Sequence, residues 1–207
     1  MRRRTGCRAA EPVRAAGIVL AAGAGRRFGG RKMLAEWNGE PLIRASVRNA
    51  LAAPIAELLV VAGSDADAIG EALAPLSDPR LRLVVHPRWA AGIGSTLAAG
   101  IAGLPRDTDC AVIFLGDMPR VPQHLAGDLV AAIARGAPSA LVSMAGAPGH
   151  PVAAHATLFG TLGRMTGDSG ARAILAAQPG CVTIPTHDPG AVYDVDRPEP
   201  PPELRIG

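Results

Sequence analysis

The chain has 207 residues, 48% hydrophobic and only 3% aromatic, with 21 Lys and Arg against 18 Asp and Glu for a formal charge of +3. That length and apolar content bury one full core made of Ala, Val, Leu and Ile. With 25 glycines and 19 prolines, they favour an α/β domain with many short connections over a helical bundle or a disordered chain. A broad nucleic-acid face is excluded because no aromatic residues interleave with a basic stripe, and no stretch reaches the roughly 18 uninterrupted apolar residues of a membrane span.

The basic excess gathers in two places, Met1-Arg-Arg-Arg4 and a loop over 26–32, so it reads as local phosphate affinity. Cys7, Cys110 and Cys181 are odd in number and far apart, with no C-x-x-C pair for zinc or redox chemistry, which predicts a reducing, cytoplasmic setting. Arg2 to Arg4 ahead of the apolar Ala15–Ala24 superficially resemble a signal peptide. Glu11, Pro12 and Arg14 interrupt that pattern, and the reading is an irregular tail over 1–14 followed by a first strand.

Taken in chain order, Gly17 to Lys32 is an apolar run that empties into a glycine-rich, basic loop. Ile18, Val19 and Leu20 favour a buried strand. Gly23, Gly25, Gly29 and Gly30 allow positive φ, so that successive amides can face one concavity, and Arg26, Arg27, Arg31 and Lys32 surround it with cations. The expected guest is a polyphosphate. A dinucleotide fingerprint fails, since the sixth position counted from Gly23 is Phe28. A Walker-type loop fails as well, since Lys32 is followed by Met33 and no hydroxyl is available for magnesium.

Trp37-Asn-Gly-Glu40 predicts a turn, Pro41 the first residue of a helix through Leu51, and Pro54 its stop. Leu58–Val61 is a second buried strand ending in Ala62-Gly63-Ser64, and Asp65 caps a helix through Ile69 and Leu73. Leu81–Val85 is a third strand. This alternation argues for βαβ units and a parallel sheet, with ligands beyond the carboxyl ends of its strands. After His86–Ile93, Gly94-Ser95-Thr96 opens a helix, with Ser95 or Thr96 as its cap and the amides of its first turn offered to an anion or a base edge.

Asp109–Leu115 is the strongest strand and leads into Gly116-Asp117-Met118-Pro119. A carboxylate at the end of a buried strand needs a positive partner, and magnesium held by one or two carboxylates plus substrate phosphates suits it. A helix over Pro122–Ile133, a strand over Ala140–Met144, a short crossing strand over Gly149–Val152 and a helix over Leu158–Met165 follow. Gly167–Arg172 starts a last helix with Asp168 or Ser169 as cap. His150 has no ligand spacing with the other histidines and reads as a hydrogen-bonding loop residue. In Tyr193–Arg197, alternation turns Asp194 and Asp196 the same way, a second pair of carboxylates for an ion. The proline-rich end, residues 200–207, is a poorly ordered tail, and the chain between the tails shows no repeat or domain boundary.

Leu20-Ala-Ala-Gly-Ala-Gly-Arg-Arg-Phe-Gly-Gly-Arg-Lys32 resembles the L-A-[AG]-G-x-[GS]-x-R-[FM]-G-x-x-K signature of nucleotidyltransferases. Five further stretches follow in order: Trp89-x-x-Gly-Ile-Gly-Ser-Thr-Leu, Gly116-Asp-Met-Pro, Gly149-His-Pro, Gly167-Asp-Ser-Gly-Ala-Arg and Asp194-Val-Asp-Arg-Pro-Glu199. Together the six are similar to the molybdenum cofactor cytidylyltransferases, the MocA-like proteins, over residues 15–199. The resemblance implies a three-layer α/β/α Rossmann-like domain with a mainly parallel, mixed sheet of the nucleotide-diphospho-sugar transferase type. It also implies CMP transfer from CTP to the phosphate of molybdenum-loaded molybdopterin, with release of pyrophosphate.

By the same resemblance, Leu20, Ala21 and Ala22 contact the base, and Gly23, Ala24, Gly25, Arg26 and Lys32 hold the phosphates, with Gly63, Gly94 and Ser95 completing the nucleotide site. Lys32, Arg26 and Asp117 are catalytic, and Asp117 with Asp196 or Asp194 binds Mg2+. Ala22 is similar to the cytidylyl branch, whereas the guanylyl branch usually shows Ala-Gly-Gly. Arg31 departs from the aspartate often found before the signature lysine. The implied partners are CTP, the phosphorylated pterin and, transiently, a molybdoenzyme or its accessory protein, with no nucleic acid or membrane. The rival readings are guanylyl transfer to the same pterin, cytidylyl transfer to a sugar or polyol phosphate, and a non-catalytic pterin carrier.

Overall fold

The structure, a computed structural model, describes residues 13–23, 25 and 28–195. Residues 1–12 of the tail expected over 1–14, the whole tail expected over 200–207, and Ala24, Arg26, Arg27 and Asp196 lie outside the described residues.

Seven strands form one sheet: β1 (Ala15–Ala21), β4 (Glu57–Ala62), β5 (Leu81–Val85), β6 (Cys110–Leu115), β7 (Ser139–Met144), β8 (Ala147–His155) and β9 (Val182–Thr186), in spatial order β5-β4-β1-β6-β8-β7-β9. Only β8 runs against its neighbours, so the sheet is mixed but mainly parallel. Two-residue strands β2 (Glu36–Trp37) and β3 (Glu40–Pro41) flank Asn38 and Gly39, whose positive φ values of 49° and 84° are those a two-residue hairpin turn demands.

The central strands are apolar on both sides because helices cover both faces. Val19, Leu58, Val60, Val112 and Phe114 pack on one face with α1 (Leu42–Leu51), α2 (Ala66–Leu73) and α4 (Gln123–Ala134). Their immediate neighbours in sequence, Ile18, Val61, Ala111 and Ile113, face the other way onto α3 (Ile93–Ala102), α5 (Phe159–Leu162) and α6 (Arg172–Ala176). This period of two gives three layers, and each Leu, Ile or Val brought to full burial contributes about 1.5–3 kcal/mol.

Several local expectations shift. Pro41 stands just before α1 as its N-cap, and Pro122 plays the same part for α4; the fixed φ and missing N–H of proline suit both places. The stretch 158–165 holds only a 3-10 turn and the one-turn α5, because Gly160 and Gly163 leave little to sustain a helix. The last helix begins at Arg172 with Ala171 as N-cap, so neither Asp168 nor Ser169 caps it. The crossing strand is longer than 149–152, and β9 was not expected at all. Its sequence, Val182-Thr-Ile-Pro-Thr186, carries a proline that only an edge strand tolerates.

Two features of this order set up the site. Strand order reverses between β1 and β6, whose chain neighbours lie on opposite sides, and in such a sheet the crevice beyond the carboxyl ends at the reversal receives the ligand. Leu20 pairs with Leu115 at that end, and the Gly116 amide donates to the Leu20 carbonyl at 3.0 Å. The second feature is a jump in register between β7 and β8, from Leu141 opposite Val152 to Val142 opposite Gly149, which leaves His150 and Pro151 as two extra residues on β8.

Candidate active site

The loop after β1 closes on itself. Gly25, at φ +59°, accepts at its carbonyl the amides of Phe28 and Gly30 at 2.8 and 3.0 Å, and Gly29 and Gly30 also take positive φ. Gly23 does not, so its expected turn falls instead on the residues that follow. A Cβ on Gly25 would stand 2.7 Å from the Cβ of Lys32, so glycine there lets the loop lie directly over the lysine.

Lys32 then reaches across to the end of β6. Its Nζ donates to Asp117 Oδ2 at 2.7 Å, with only 11% of the lysine side chain and 23% of the aspartate side chain exposed. The glycine loop and the β6 carboxylate, 85 residues apart in sequence, thus meet in one place. Arg31, itself in the left-handed region at φ 48°, lies 3.9 Å from Asp65 at the start of α2. No side-chain cap bond is made by Asp65.

Asp117 and Gly25 border a cleft of about 430 Å3, and Lys32 meets it through its ion pair with Asp117. Leu20, Ala22, Gly23 and Gly25 come from β1 and its loop, and Asp117 from the end of β6. Ala21 is buried, whereas Leu20 is partly open to the cleft. Trp89, Gly92 and Ile93 form the opposite wall. Gly63 is not itself on the lining but makes that wall possible: a Cβ there would stand 2.5 Å from the Ala22 carbonyl oxygen and 2.7 Å from Trp89 Cγ.

The start of α3 is arranged differently from the expectation. Gly92 is its N-cap, without a side-chain cap bond, and the Ser95 and Thr96 hydroxyls donate back to the Gly92 carbonyl at 2.8 and 3.3 Å. Short hydroxyl side chains compete for nearby backbone acceptors in this way. Ser95 Oγ also lies 3.1 Å from His86 Nε2. The Gly94 amide donates to the Gly167 carbonyl at 2.9 Å, and the Gly167 amide donates to Ala91. The 166–168 loop is thereby fastened over the helix start. Glycine is needed at both 92 and 94, since Cβ atoms there would come within 2.3 Å of Gly167 O and 2.8 Å of Thr166 O.

This fastening brings Asp168 to the cleft, a residue expected only as a cap. Trp89, Met33 and Leu115 also line it without having been singled out as site residues. Trp89 carried a signal, being one of two tryptophans and sitting in a glycine-rich loop at a strand end. The other two are apolar residues whose exposure depends on which strands are neighbours.

On donor chemistry the site suits a hard divalent ion in one manner. Among the described residues no group of three or more His, Cys, Asp and Glu converges, so an ion would rest on Asp117 and on oxygens brought by a phosphate substrate. The C-terminal segment passes close by: the Val195 amide donates to the Asp117 carbonyl at 3.1 Å, and the Val195 side chain is buried with Trp37 and Leu42. Asp194 is exposed beside it.

His150 is on β8, not in a loop, and its Nδ1 is buried without a hydrogen-bond partner. Burial, then the nearby Arg172 charge, pushes its pKa down to about 4. Arg172 donates to the carbonyls of Gly149 and Val142, both at 2.7 Å.

A family model described as MobA-like NTP transferase domain matches residues 17–182. Nicotine blue oxidoreductase of Paenarthrobacter nicotinovorans is 31% identical over 87% of this chain and 91% of its own length. Purine catabolism protein PucB of Bacillus subtilis is 30% identical over 88% and 92%. Among solved structures, an Rv0371c homologue from Mycobacterium sp. strain JC1 superposes with a TM-score of 0.76 at 28% identity, covering 88% of this chain and 90% of that one. Rv0371c of Mycobacterium tuberculosis H37Rv, in a manganese complex, gives 0.70 at 23% identity over 84% and 88%, a likeness of fold. With its mixed sheet, its strand-order reversal and a glycine loop closed over a lysine that meets the β6 aspartate, the chain belongs to the MobA-like NTP transferase family and is a nucleotidyltransferase.

Proposed function

We propose that the enzyme transfers CMP from CTP to the terminal phosphate of molybdenum-loaded molybdopterin. The observation that carries this reading is the 2.7 Å contact of Lys32 with Asp117, a residue of the cleft wall, which would join a cation for the phosphates to a carboxylate for an ion. Ala22, buried at the start of the loop, supports CTP through the Ala-Ala-Gly pattern of the cytidylyl branch.

An oxygen of the acceptor phosphate attacks the α-phosphorus in line, the bond from that phosphorus to the β-phosphate oxygen breaks, and pyrophosphate departs. The protein needs to supply position and charge rather than a covalent intermediate. In this reading Leu20, Ala21, Ala22 and Gly63 shape the base end. Gly23, Ala24 and Gly25 follow the phosphates, while Gly94 and Ser95, expected at the nucleotide, stand behind the cleft wall of Gly92 and Ile93 with the Gly94 amide already given to the Gly167 carbonyl. Lys32 and Arg26 neutralise the charge that builds on the leaving pyrophosphate. Magnesium bound by Asp117 and Asp196 would add a Lewis acid at the phosphate oxygens.

The test is pyrophosphate release from each of four NTPs with the molybdenum-loaded pterin as acceptor. Release with CTP alone is expected. Release with GTP instead moves the reading to the guanylyl branch, and release only with sugar or polyol phosphates replaces the acceptor. Tight pterin binding without pyrophosphate supports a carrier. An oxidoreductase, as the first relative is named, would release no pyrophosphate from any NTP in this assay; the loop after β1 lacks the dinucleotide fingerprint.

A further inference from the structure

The two edges of the sheet are built differently. Among the described residues β9 pairs with β7 alone and β5 with β4 alone. β9 is blunted by Pro185, whereas β5, Leu81-Arg-Leu-Val-Val85, has neither a proline nor a bulge. Its one charge, Arg82, is engaged by Glu57 of β4. Leu83 and Val85 are 39% and 58% exposed, large apolar side chains on an open edge.

The backbone of that edge faces outward at alternate residues. The Arg80 carbonyl accepts from the Leu58 amide and the His86 amide donates to the Ala62 carbonyl, both at 2.8 Å, so the even-numbered residues turn toward β4. Leu81, Leu83 and Val85 therefore turn their N–H and C=O groups away from the sheet, and of these the Leu81 amide is already given to the Asp78 carbonyl at 3.0 Å. The remaining groups complement themselves. A second β5 run antiparallel about a twofold axis at Leu83 sets Leu83 opposite Leu83, Val85 opposite Leu81 and Arg82 opposite Val84. Each Leu83 amide then meets the other Leu83 carbonyl, and each Val85 amide meets a Leu81 carbonyl. Other axes fit less well: one at Arg82 puts two arginines face to face, and one at Val84 brings Pro87, which has no N–H, opposite Leu81.

The side chains agree with this register. Leu81, Leu83 and Val85 share the α2 face, where an open groove of about 220 Å3 is lined by Gly70, Leu73, Ala74, Leu81 and Leu83. The copy's Val85, opposite Leu81, stands at this groove. Gly70 keeps it open, since a Cβ there would come within 3.3 Å of Leu83 Cδ2.

We propose that β5 is the docking edge for a second copy of this chain, the two sheets joining antiparallel at Leu83 into one continuous sheet. Because the joined strands oppose each other, the two clefts open at opposite ends and neither copy lends the other a site residue. Five paired residues make a small contact, so the dimer is weak and depends on concentration.

The test is sedimentation equilibrium of the full-length protein from about 1 µM to about 1 mM, where weak association is read directly. The mass should rise from one chain toward two. Leu83→Lys, which places like charges on the axis, and Val85→Lys should each hold the protein at one chain, while Thr183→Lys on the β9 edge leaves the rise intact. In a Cys7→Ser, Cys181→Ser background, which keeps only the buried Cys110, Leu83→Cys should give a dimer on mild oxidation that reductant reverses. The facing Cα atoms would stand about 5.5 Å apart, within disulfide reach. Wild-type protein that stays one chain at the highest concentration leaves the edge to another occupant and overturns the inference. So does a dimer that both lysine variants, shown folded by circular dichroism, leave unweakened. A wild-type dimer without the Leu83→Cys cross-link refutes the axis at Leu83.

Discussion

Asp117 lines the cleft and Lys32 is paired with it, and neither belongs to the apolar core, so removing either should injure chemistry far more than folding. Lys32→Ala is expected to cost about 3 kcal/mol of transition-state stabilisation, roughly a hundredfold in kcat/KM, as for one preorganised electrostatic donor. Asp117→Ala should nearly abolish turnover. Pyrophosphate release within tenfold of wild type in Lys32→Ala would refute its role, provided circular dichroism shows both variants folded. His150 has the opposite profile, structural in its titration. Its folded pKa of about 4 lies below the ordinary 6.5, so as pH falls below 6.5 the unfolded chain takes up a proton that the folded chain refuses until about pH 4. Stability from this group is therefore complete above pH 6.5 and lost on the way down to pH 4, to the extent of about 3 kcal/mol. His86, also lowered by burial and by Arg88, adds in the same direction. Urea denaturation at pH 7 and pH 4.5 should show a smaller drop in His150→Phe than in wild type; equal drops would place the burden on other groups.

At the scale of elements, the register jump in β8 and the tight loop junctions carry the site. Arg172 on α6 satisfies two carbonyls on β7 and β8 with charge-assisted hydrogen bonds, each worth about 1.5–3 kcal/mol. Arg172→Met keeps the stem and removes both donors. It should lower the urea midpoint by an amount equivalent to about 3 kcal/mol with the m-value unchanged; a shift under 1 kcal/mol would mean that water replaces the guanidinium. The end of β4 meets the start of the glycine loop at Gly63, where the Ala22 carbonyl is backbone and cannot swing aside. Gly63→Ala must push Trp89 out of the cleft wall, and CTP binding, read by calorimetry, should weaken about tenfold while the strand itself persists.

For the whole molecule, the reversal of strand order between β1 and β6 decides where the site lies, and the helices on both faces decide how rigidly it is held. In the proposed function a divalent ion arrives with the substrate and rests on Asp117 and phosphate oxygens. Chelation should therefore stop pyrophosphate release and leave the thermal midpoint of the free protein where it was. Adding CTP with magnesium at a hundred times its Kd should then raise stability by about 2.7 kcal/mol. A midpoint that falls on chelation would show the ion to be structural. No helix among the described residues is long and apolar enough to cross a membrane.

Much of this was legible in the chain before any coordinates. Ile18, Val19, Val60, Val61, Val112 and Ile113 announce buried strands through residue type alone, because only a sheet covered on both faces accommodates unbroken β-branched runs. The glycine loop and Asp117 likewise identify themselves through local chemistry, as cations around flexible backbone and as an acid ending an apolar strand. What only the tertiary structure decided are the relations between distant segments: that Lys32 meets Asp117, that Gly167 lies on the start of α3 and turns Asp168 from a supposed cap into a cleft residue, and that β8 carries His150 into a cavity beside the cleft. The physical reason is that strand order and register arise from packing summed over the whole sheet. Two residues added to β8, or one strand placed between β6 and β7, leave no mark on local composition yet determine which side chains share a space.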